Sequence, residues 1–210
     1  TTAAEHIVPQ LVQEFSARHP ELTLTLDVGN RERVFREVAS HRADVAIGGR
    51  PPADGRLSGE AFLDNPILLI TAPGDPLARR RAVPVEELGG RPWLLREPGS
   101  GTRTMIEEFL ARHELTPRML TMGSNGAIKQ AARAGLGVSL QSRAATALEL
   151  GNRLLDTISL REPLPKRQWF VLWPSTGPLR EPIREFLEFV TSAAAKQLVE
   201  RSWVAETVQP

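Results

Sequence analysis

Residues 93–109 read WLLREPGSGTRTMIEEF, and residues 119–140 read MLTMGSNGAIKQAARAGLGVSL. Each stretch starts with apolar residues, continues through a loop of small residues and enters a pattern with helical periodicity. The pattern predicts strands at 93–95, 119–121 and 138–140, and helices at 104–113 and 127–134. Strands that alternate with helices are typical of α/β folds.

The first 70 residues show the same alternation. Apolar residues between positions 7 and 15 recur at helical spacing, and residues 22–28 (LTLTLDV) alternate apolar and polar side chains as a strand does. Asn30 is the predicted N-cap of a second helix, and strands are expected at 43–47 and 67–71. Strand, helix and strand at this spacing form a βαβ unit, so we expect a mostly parallel sheet.

Turn-forming residues at positions 73–76 separate this segment from a second αβ series, which indicates two domains. The aromatic and β-branched residues at 168–173 predict a strand. One long helix is expected over 178–201, with Pro182 in its first turn, where proline is tolerated.

The composition is that of an ordinary globular protein, with 41% hydrophobic and 24% charged residues and no cysteine. The lack of cysteine excludes disulfides and thiolate metal sites, and the four histidines lack the spacing of metal ligands. No serine has a recognisable base beside it, so we expect neither a catalytic residue nor a metal site. Residues 71–170 hold 15 basic and 10 acidic side chains, which favours a small anion as the partner.

Three predicted helix starts carry hydroxyl or amide side chains, and two of them follow strands. Such helix starts attract anions, and the carboxyl ends of strands are where open α/β sheets bind ligands. The candidate binding residues are Thr1, Thr2, Gly101, Thr102, Arg103, Ser124 and Asn125, with Gln141 and Arg50 after two other strands. Ordinary capping would also explain the hydroxyls, including a capping box of Thr104 and Glu107, and Arg50 would equally suit a solvated loop.

The chain resembles the effector-binding domain of LysR-type transcriptional regulators over residues 1–190. It is most similar to the subgroup that activates carbon-fixation (Calvin cycle) operons. The stretches that carry the resemblance are TTAAEHIVPQLVQEF (1–15), GRPP (49–52), REPGSGTR (96–103), SNGAIKQAARAGLGVSLQSR (124–143) and RQWFVLW (167–173).

The resemblance implies a periplasmic-binding-protein-like fold of type II, in which two crossing strands join two α/β subdomains. Subdomain I would span 1–70 plus 173–200, subdomain II would span 72–170, and 201–210 would form a C-terminal tail. It also implies that a small effector sits between the subdomains. The positions that meet the effector in the family match Thr1, Thr2, Thr102 and Ser124 here, with Gly101, Arg103 and Asn125 beside them. For the subgroup, the implied effectors are sugar phosphates, phosphoenolpyruvate or nucleotides such as NADPH and ATP, with no cofactor.

Members of the family carry a DNA-binding domain before this region, so we expect these 210 residues to be the regulatory part, which meets DNA only through that domain. The longest aliphatic run, at 67–70, is too short to cross a membrane, so we expect no membrane segment. The resemblance further implies a cytoplasmic transcriptional activator, dimeric as a fragment and tetrameric at full length. Two alternatives remain open on the sequence: a solute-binding protein of a transporter, or an enzyme that uses the same cleft.

Overall fold

The computed structural model describes the backbone of residues 1–205 and the side chains of residues 1–201. The chain divides into two compact units, residues 1–65 with 167–205 and residues 66–166. The boundaries expected from the sequence lay a few residues later, at about 71 and 172. The expected tail at 201–210 falls partly in a helix that continues to Ala205, and the remaining residues, 206–210, lie outside the described part.

Unit 1 contains five helices and three strands. The helices are α1 (Thr2–His6), α2 (Val8–Arg18), α3 (Arg31–Ala39), α7 (Glu181–Thr191) and α8 (Ala193–Ala205). The strands are β1 (Ala46–Gly48), β2 (Leu57–Asn65) and β8 (Arg167–Pro174).

The sheet of unit 1 is antiparallel, with β8 in the centre between β1 and β2. Val171 of β8 faces Ile47 on one side and Glu60 on the other. The expectation of a mostly parallel sheet is therefore wrong for this unit. It rested on residues 22–28 as a strand and did not include β2, whose alternation is shifted by an irregularity between Ala61 and Leu63.

Residues 22–28 do not belong to a strand in the structure. Leu24, Leu26 and Val28 are 40%, 48% and 42% exposed, and Leu22 alone packs against the core. Alternation fixes which residues share a face, but a strand also needs a partner with which its backbone pairs. No such partner pairs with residues 22–28 among the described strands.

The core of unit 1 forms where α2 packs on the central strand. Ile7, Leu11 and Phe15 are buried together with Val171 and Val190. The predicted N-terminal helix is confirmed, although it breaks at Ile7 because Pro9 opens a new helix. The predicted helix at 178–201 is two helices, because the backbone is extended at Ser192.

Unit 2 contains three helices, five strands and two short 3-10 turns. The helices are α4 (Gly101–Arg112), α5 (Asn125–Arg133) and α6 (Arg143–Gly151). The strands are β3 (Ile67–Thr71), β4 (Trp93–Arg96), β5 (Met119–Met122), β6 (Ser139–Ser142) and β7 (Asp156–Thr157). The 3-10 turns are Pro76–Arg79 and Val85–Leu88.

Parallel pairing occurs in unit 2. β4 and β5 are parallel, and a parallel bridge between Trp93 and Val138 places the start of β6 beside β4. β3 pairs antiparallel with β6 and β7. Trp93, Ile106 and Phe109 are buried where α4 packs against these strands.

Within residues 1–205, no helix combines the length and hydropathy that crossing a membrane requires. In the same part of the chain, no group of three or more histidine and carboxylate side chains is placed to hold a metal ion.

Candidate functional site

The carboxyl ends of β4, β5 and β6 lie at one edge of unit 2, because these strands run in the same direction. Each strand is followed directly by a helix, and each helix has a serine at its N-cap position. The N-caps are Ser100, Ser124 and Ser142. We call this edge the serine-cap edge.

The first helix start lies in the loop that joins β4 to α4. Gly99 has φ +82°, a conformation that favours glycine, and it turns the chain into the helix. Ser100 is buried, and its Oγ accepts from the backbone N–H of Thr102 at 3.3 Å. The alternative explanation by a capping box of Thr104 and Glu107 is wrong, because Ser100 is the N-cap of α4 and the Thr104 hydroxyl donates to the carbonyl of Ser100 inside the first turn.

The second helix start follows β5. Ser124 Oγ accepts from the backbone N–H of Ala127 at 3.0 Å, which satisfies one of the unpaired donors at the start of α5. Asn125 is the first residue of this helix and is 2% exposed. The predicted positions of Ser124 and Asn125 at a helix start are therefore confirmed.

The third helix start was not predicted. Ser142 ends β6 and precedes α6, and the hydroxyl of Thr146 donates to the Ser142 carbonyl at 3.3 Å. Ser142 stands two positions after the predicted strand at 138–140, and this position was a usable signal. The alanine-rich sequence of α6 lacks the apolar stripe by which a helix is usually found.

Arg96 is a functional candidate that local sequence patterns did not single out. It ends β4 and is 3% exposed. Its Nε and Nη2 donate to the two carboxylate oxygens of Glu97 at 2.7 and 2.9 Å. Its Nη1 donates to Oδ1 of Asn125 at 2.8 Å, which joins the end of β4 to the start of α5.

Arg103 ties α4 to the ends of two strands. Its Nη1 donates to the carbonyl of Arg96 at 3.2 Å and to the Thr121 hydroxyl at 3.3 Å, and its Nε donates to Glu107 at 2.7 Å. Arg96 and Arg103 are thus each paired with a neighbouring carboxylate, and Arg143, the first residue of α6, is exposed. The helix starts add to the attraction for anions at this edge, because their dipoles favour negative charge.

Gln141 lies in β6 and is 1% exposed. Its Nε2 donates to Ser139 Oγ at 3.1 Å, and the Ser139 hydroxyl donates to the Leu94 carbonyl at 2.8 Å. These bonds hold β6 against β4, so the Gln141 amide group contributes to the framework beneath the edge.

The other predicted residues belong to unit 1. Thr1 is the N-cap of α1, its backbone nitrogen donates to the Gly29 carbonyl at 3.0 Å, and Thr2 is the first helical residue. Arg50 lies in an exposed loop, where its carbonyl accepts from Nη2 of Arg31 at 3.0 Å.

Residues 1–195 match the family described as LysR substrate binding domain. The chain belongs to the LysR family. This membership confirms the periplasmic-binding-protein-like α/β fold that the family resemblance implied.

Two relatives of this LysR-type chain are named as transcriptional regulators, one of them of the RuBisCO operon. The RuBisCO operon transcriptional regulator of Allochromatium vinosum is 36% identical over 93% of this chain and 65% of its own length. The HTH-type transcriptional regulator CbbR of Rhodospirillum rubrum is 36% identical over 93% of this chain and 64% of its own length. The LysR-type chain thus spans about two thirds of the length of the relatives it matches.

Among solved structures, the regulatory domain of CcmR from Synechocystis PCC6803 in complex with 2-PG is similar to this LysR-type chain. It shares 31% identity with a TM-score of 0.86, and the match covers 94% of each chain. Because these relatives are regulators, the comparisons favour a regulatory domain over the two alternatives, a transporter's solute-binding protein and an enzyme.

Proposed function

We propose that this chain is the effector-sensing part of a transcriptional regulator that controls carbon-fixation genes in response to a small phosphorylated anion. The relatives that regulate the RuBisCO operon support the target genes, and the CcmR regulatory domain with 2-PG supports the class of effector. The observation that carries the proposal is the serine-cap edge, where three helices begin at the ends of three strands.

A phosphate group suits this edge for two physical reasons. The first turn of each helix leaves backbone N–H groups without a partner inside the helix, and a phosphate offers several oxygen acceptors to them. The macrodipoles of α4, α5 and α6 add partial positive charge at the same place. A neutral ligand would gain less from either feature.

The proposed effector contacts at this edge are Gly101, Thr102, Ser124 and Asn125, to which the structure adds Ser142. Arg103 and Gln141 are proposed to act through the framework, because their hydrogen bonds hold α4 and β6 in place. Thr1 and Thr2 of unit 1 are proposed as effector contacts from the family resemblance, and Arg50 is proposed because it follows a strand and a guanidinium can hold a carboxylate or a phosphate.

The effector would act by changing the populations of two conformations of the regulator, in proportion to its difference in affinity for them. We further propose that the full-length protein meets DNA through a separate DNA-binding domain and works in the cytoplasm. The proposed assembly is a homodimer of this chain and a tetramer at full length.

The test is a titration of the purified chain with 2-phosphoglycolate, 2-phosphoglycerate, phosphoenolpyruvate, sugar phosphates, NADPH and ATP, with unphosphorylated glycolate as the negative control. A compound present at 100 times its Kd adds about 2.7 kcal/mol to the free energy of unfolding. That addition should raise the Tm by roughly 5–10 °C in a protein of this size. Calorimetry then measures the Kd of each compound that raises the Tm.

Two matched variants locate the binding. Thr102→Val removes a hydroxyl at the start of α4 and should weaken binding, whereas Thr104→Val removes a hydroxyl in the same first turn that is bonded to the helix backbone and should leave it unchanged. The proposal is overturned if none of the phosphorylated compounds binds better than glycolate.

A further inference from the structure

An ion pair joins the second turns of α5 and α6, the helices that begin at Ser124 and Ser142 of the serine-cap edge. Lys129 Nζ lies 2.6 Å from Glu149 Oε1 and donates to the carbonyl oxygen of Ala145 at 2.8 Å. The side chains of Lys129 and Glu149 are only 14% and 15% exposed. One ammonium group of α5 therefore holds α6 at two points that are one helical turn apart.

Apolar packing does little to fix the position of α6 along its own axis. The buried residues of this helix are small, namely Ala144, Ala145, Thr146 and Ala147. A face of this kind has no large side chains that interlock with neighbouring elements and resist a slide. Leu150, which packs against the apolar cluster of α5, lies at the end of α6 that is far from the serine-cap edge.

The helix α4 differs in this respect, because it buries four large apolar side chains. These are Met105, Ile106, Phe109 and Leu110. Such side chains interlock with the strands beneath them and hold the helix at one height. The start of α6 therefore depends more than the start of α4 on polar contacts for its position.

Stability alone explains the ion pair poorly. Taking an ammonium and a carboxylate out of water costs free energy, and apolar side chains in place of such a pair often leave the stability equal or higher. The pair is also incompletely matched, since Glu149 Oε2 is buried and has no hydrogen-bond partner among the described residues. What the pair supplies is a defined position, because a slide of α6 along its axis breaks both contacts of Lys129.

We propose that Lys129 and Glu149 are positioning residues, which hold the start of α6 in the place that a bound anion requires. This inference rests on the proposed function of the serine-cap edge. The two residues act through the backbone of α6, whose first-turn amides lie at 143–145. A site that is held in its binding geometry before the effector arrives loses less free energy when the effector binds.

The first test is the double variant Lys129→Met with Glu149→Leu, which removes both charges and refills most of their volume. Its Tm should equal or exceed that of the wild type. Its affinity for 2-phosphoglycolate, measured by calorimetry, should nevertheless fall at least about fivefold, because α6 is no longer held in place. A merely structural role would not lower affinity at undiminished stability, and an unchanged affinity would overturn the proposal.

A second double variant keeps the test decisive if the apolar pair does not fold. Lys129→Gln with Glu149→Gln leaves polar groups at both positions, but the side chain at position 129 is then too short to reach both points on α6. The same fall in affinity is expected. In contrast, Lys129→Arg keeps the charge and the N–H donors, and its affinity should stay within about twofold of the wild type.

The matched control exchanges another ion pair of unit 2 for the same apolar residues. Arg80→Met with Glu87→Leu removes a pair carried by the 3-10 turns and their connection, outside α4, α5 and α6. Its affinity for 2-phosphoglycolate should be that of the wild type. A loss as large as that of the Lys129 and Glu149 double variant would overturn the proposal, since the effect would then be a general one.

Amide NMR of the 15N-labelled chain without ligand measures the position of α6 directly. In Lys129→Met with Glu149→Leu, the resonances of residues 143–145 should shift or broaden, while those of 101–103 in α4 should keep their wild-type positions. Unaltered resonances at 143–145 would overturn the proposal. A wild type that does not bind 2-phosphoglycolate defeats the proposed function and this inference together, whereas equal binding by the wild type and the double variant defeats the inference alone.

Discussion

The Nη1 group of Arg96 donates to Oδ1 of Asn125 at 2.8 Å, and this bond connects a strand end to a helix start within unit 2. Around it, β4, β5 and β6 end at one edge and three serine-capped helices begin. The geometry of that edge depends on helix caps, on the close approach of β4 and β6 and on ion pairs, and each of these can be tested separately.

Ser124→Ala should lower the free energy of unfolding by about 1 kcal/mol, because it removes the cap bond to the N–H of Ala127. It should also weaken 2-phosphoglycolate binding roughly three- to tenfold if the hydroxyl meets the anion. Urea denaturation and calorimetry measure the two effects.

The matched control for this cap is Asn30→Ala in unit 1. Asn30 Oδ1 caps α3 by accepting from the N–H of Arg33 at 3.0 Å, the same distance as in the Ser124 cap. We expect a similar loss of stability from Asn30→Ala and an unchanged Kd. If both variants weaken binding equally, the effect of Ser124→Ala is one of stability and the proposed contact is wrong.

Gly137→Ala should destabilise the protein severely. A Cβ at this position would lie 2.3 Å from the carbonyl oxygen of Pro92, which accepts the N–H of Val138 where β6 meets β4. The backbones must separate to admit the methyl group, so we expect a loss of at least about 2 kcal/mol in the free energy of unfolding.

Gly90→Ala is the control for this glycine, because a Cβ there meets nothing within 4 Å. Its stability should stay within about 0.5 kcal/mol of the wild type. Equal stability of the two variants by thermal and urea unfolding would show that the approach of β4 and β6 is looser than the structure has it.

Asp75 should make the protein sensitive to acid. Burial of its carboxylate works to raise the pKa, but hydrogen bonds from Arg91, from the Thr71 hydroxyl at 2.6 Å and from the Leu77 N–H at 2.9 Å outweigh burial and lower the pKa of Asp75. A carboxyl whose pKa is lower in the folded state stabilises the fold above its unfolded pKa, which is about 3.9, and this contribution is lost as the pH falls through the folded value.

We therefore expect Asp75→Asn to lower the free energy of unfolding at pH 7 by about 1–3 kcal/mol and to flatten its decline below about pH 4. Unfolding curves in urea between pH 3 and pH 7 provide the measurement. A variant that loses stability with the same steepness in acid as the wild type would assign the acid sensitivity to other carboxylates.

Leu26→Lys should leave the stability within about 0.5 kcal/mol of the wild type, because Leu26 is 48% exposed and belongs to no strand. Leu11→Ala, at a fully buried position of α2, should cost about 2–5 kcal/mol. A large loss in Leu26→Lys would mean that residues 22–28 pack in solution as the alternating pattern first suggested.

The elements between positions 93 and 140 of unit 2 followed closely from the sequence because local signals agreed there. Apolar strand residues, a loop with glycine and serine, and a helical stripe occur in order between positions 93 and 140, and each predicted strand and helix appears within a few residues. The hydroxyls at the helix starts were visible for the same reason.

Residues 22–28 show where local signals fail. Their alternation was the clearest strand pattern in the chain, yet strand formation depends on a partner that local periodicity does not identify. The strand at 57–65 was missed for a related reason, because its irregularity near Ala61 interrupts the alternation while its pairing with β8 holds it in the sheet.

Arg96 shows the corresponding limit for the site. It stands in the motif REPGSGTR, but its burial and its contact with Asn125 depend on how β4 and α5 pack. A lone arginine at a strand end has no sequence signal that distinguishes a buried positioning residue from a solvated one.

An amide NMR titration of the 15N-labelled chain with 2-phosphoglycolate tests directly whether the serine-cap edge binds the effector. We expect the largest saturable shifts on the first-turn amides of α4, α5 and α6, at residues 101–103, 125–127 and 143–145. Saturable shifts confined to other residues, for example the 3-10 turns between 76 and 88, would contradict it.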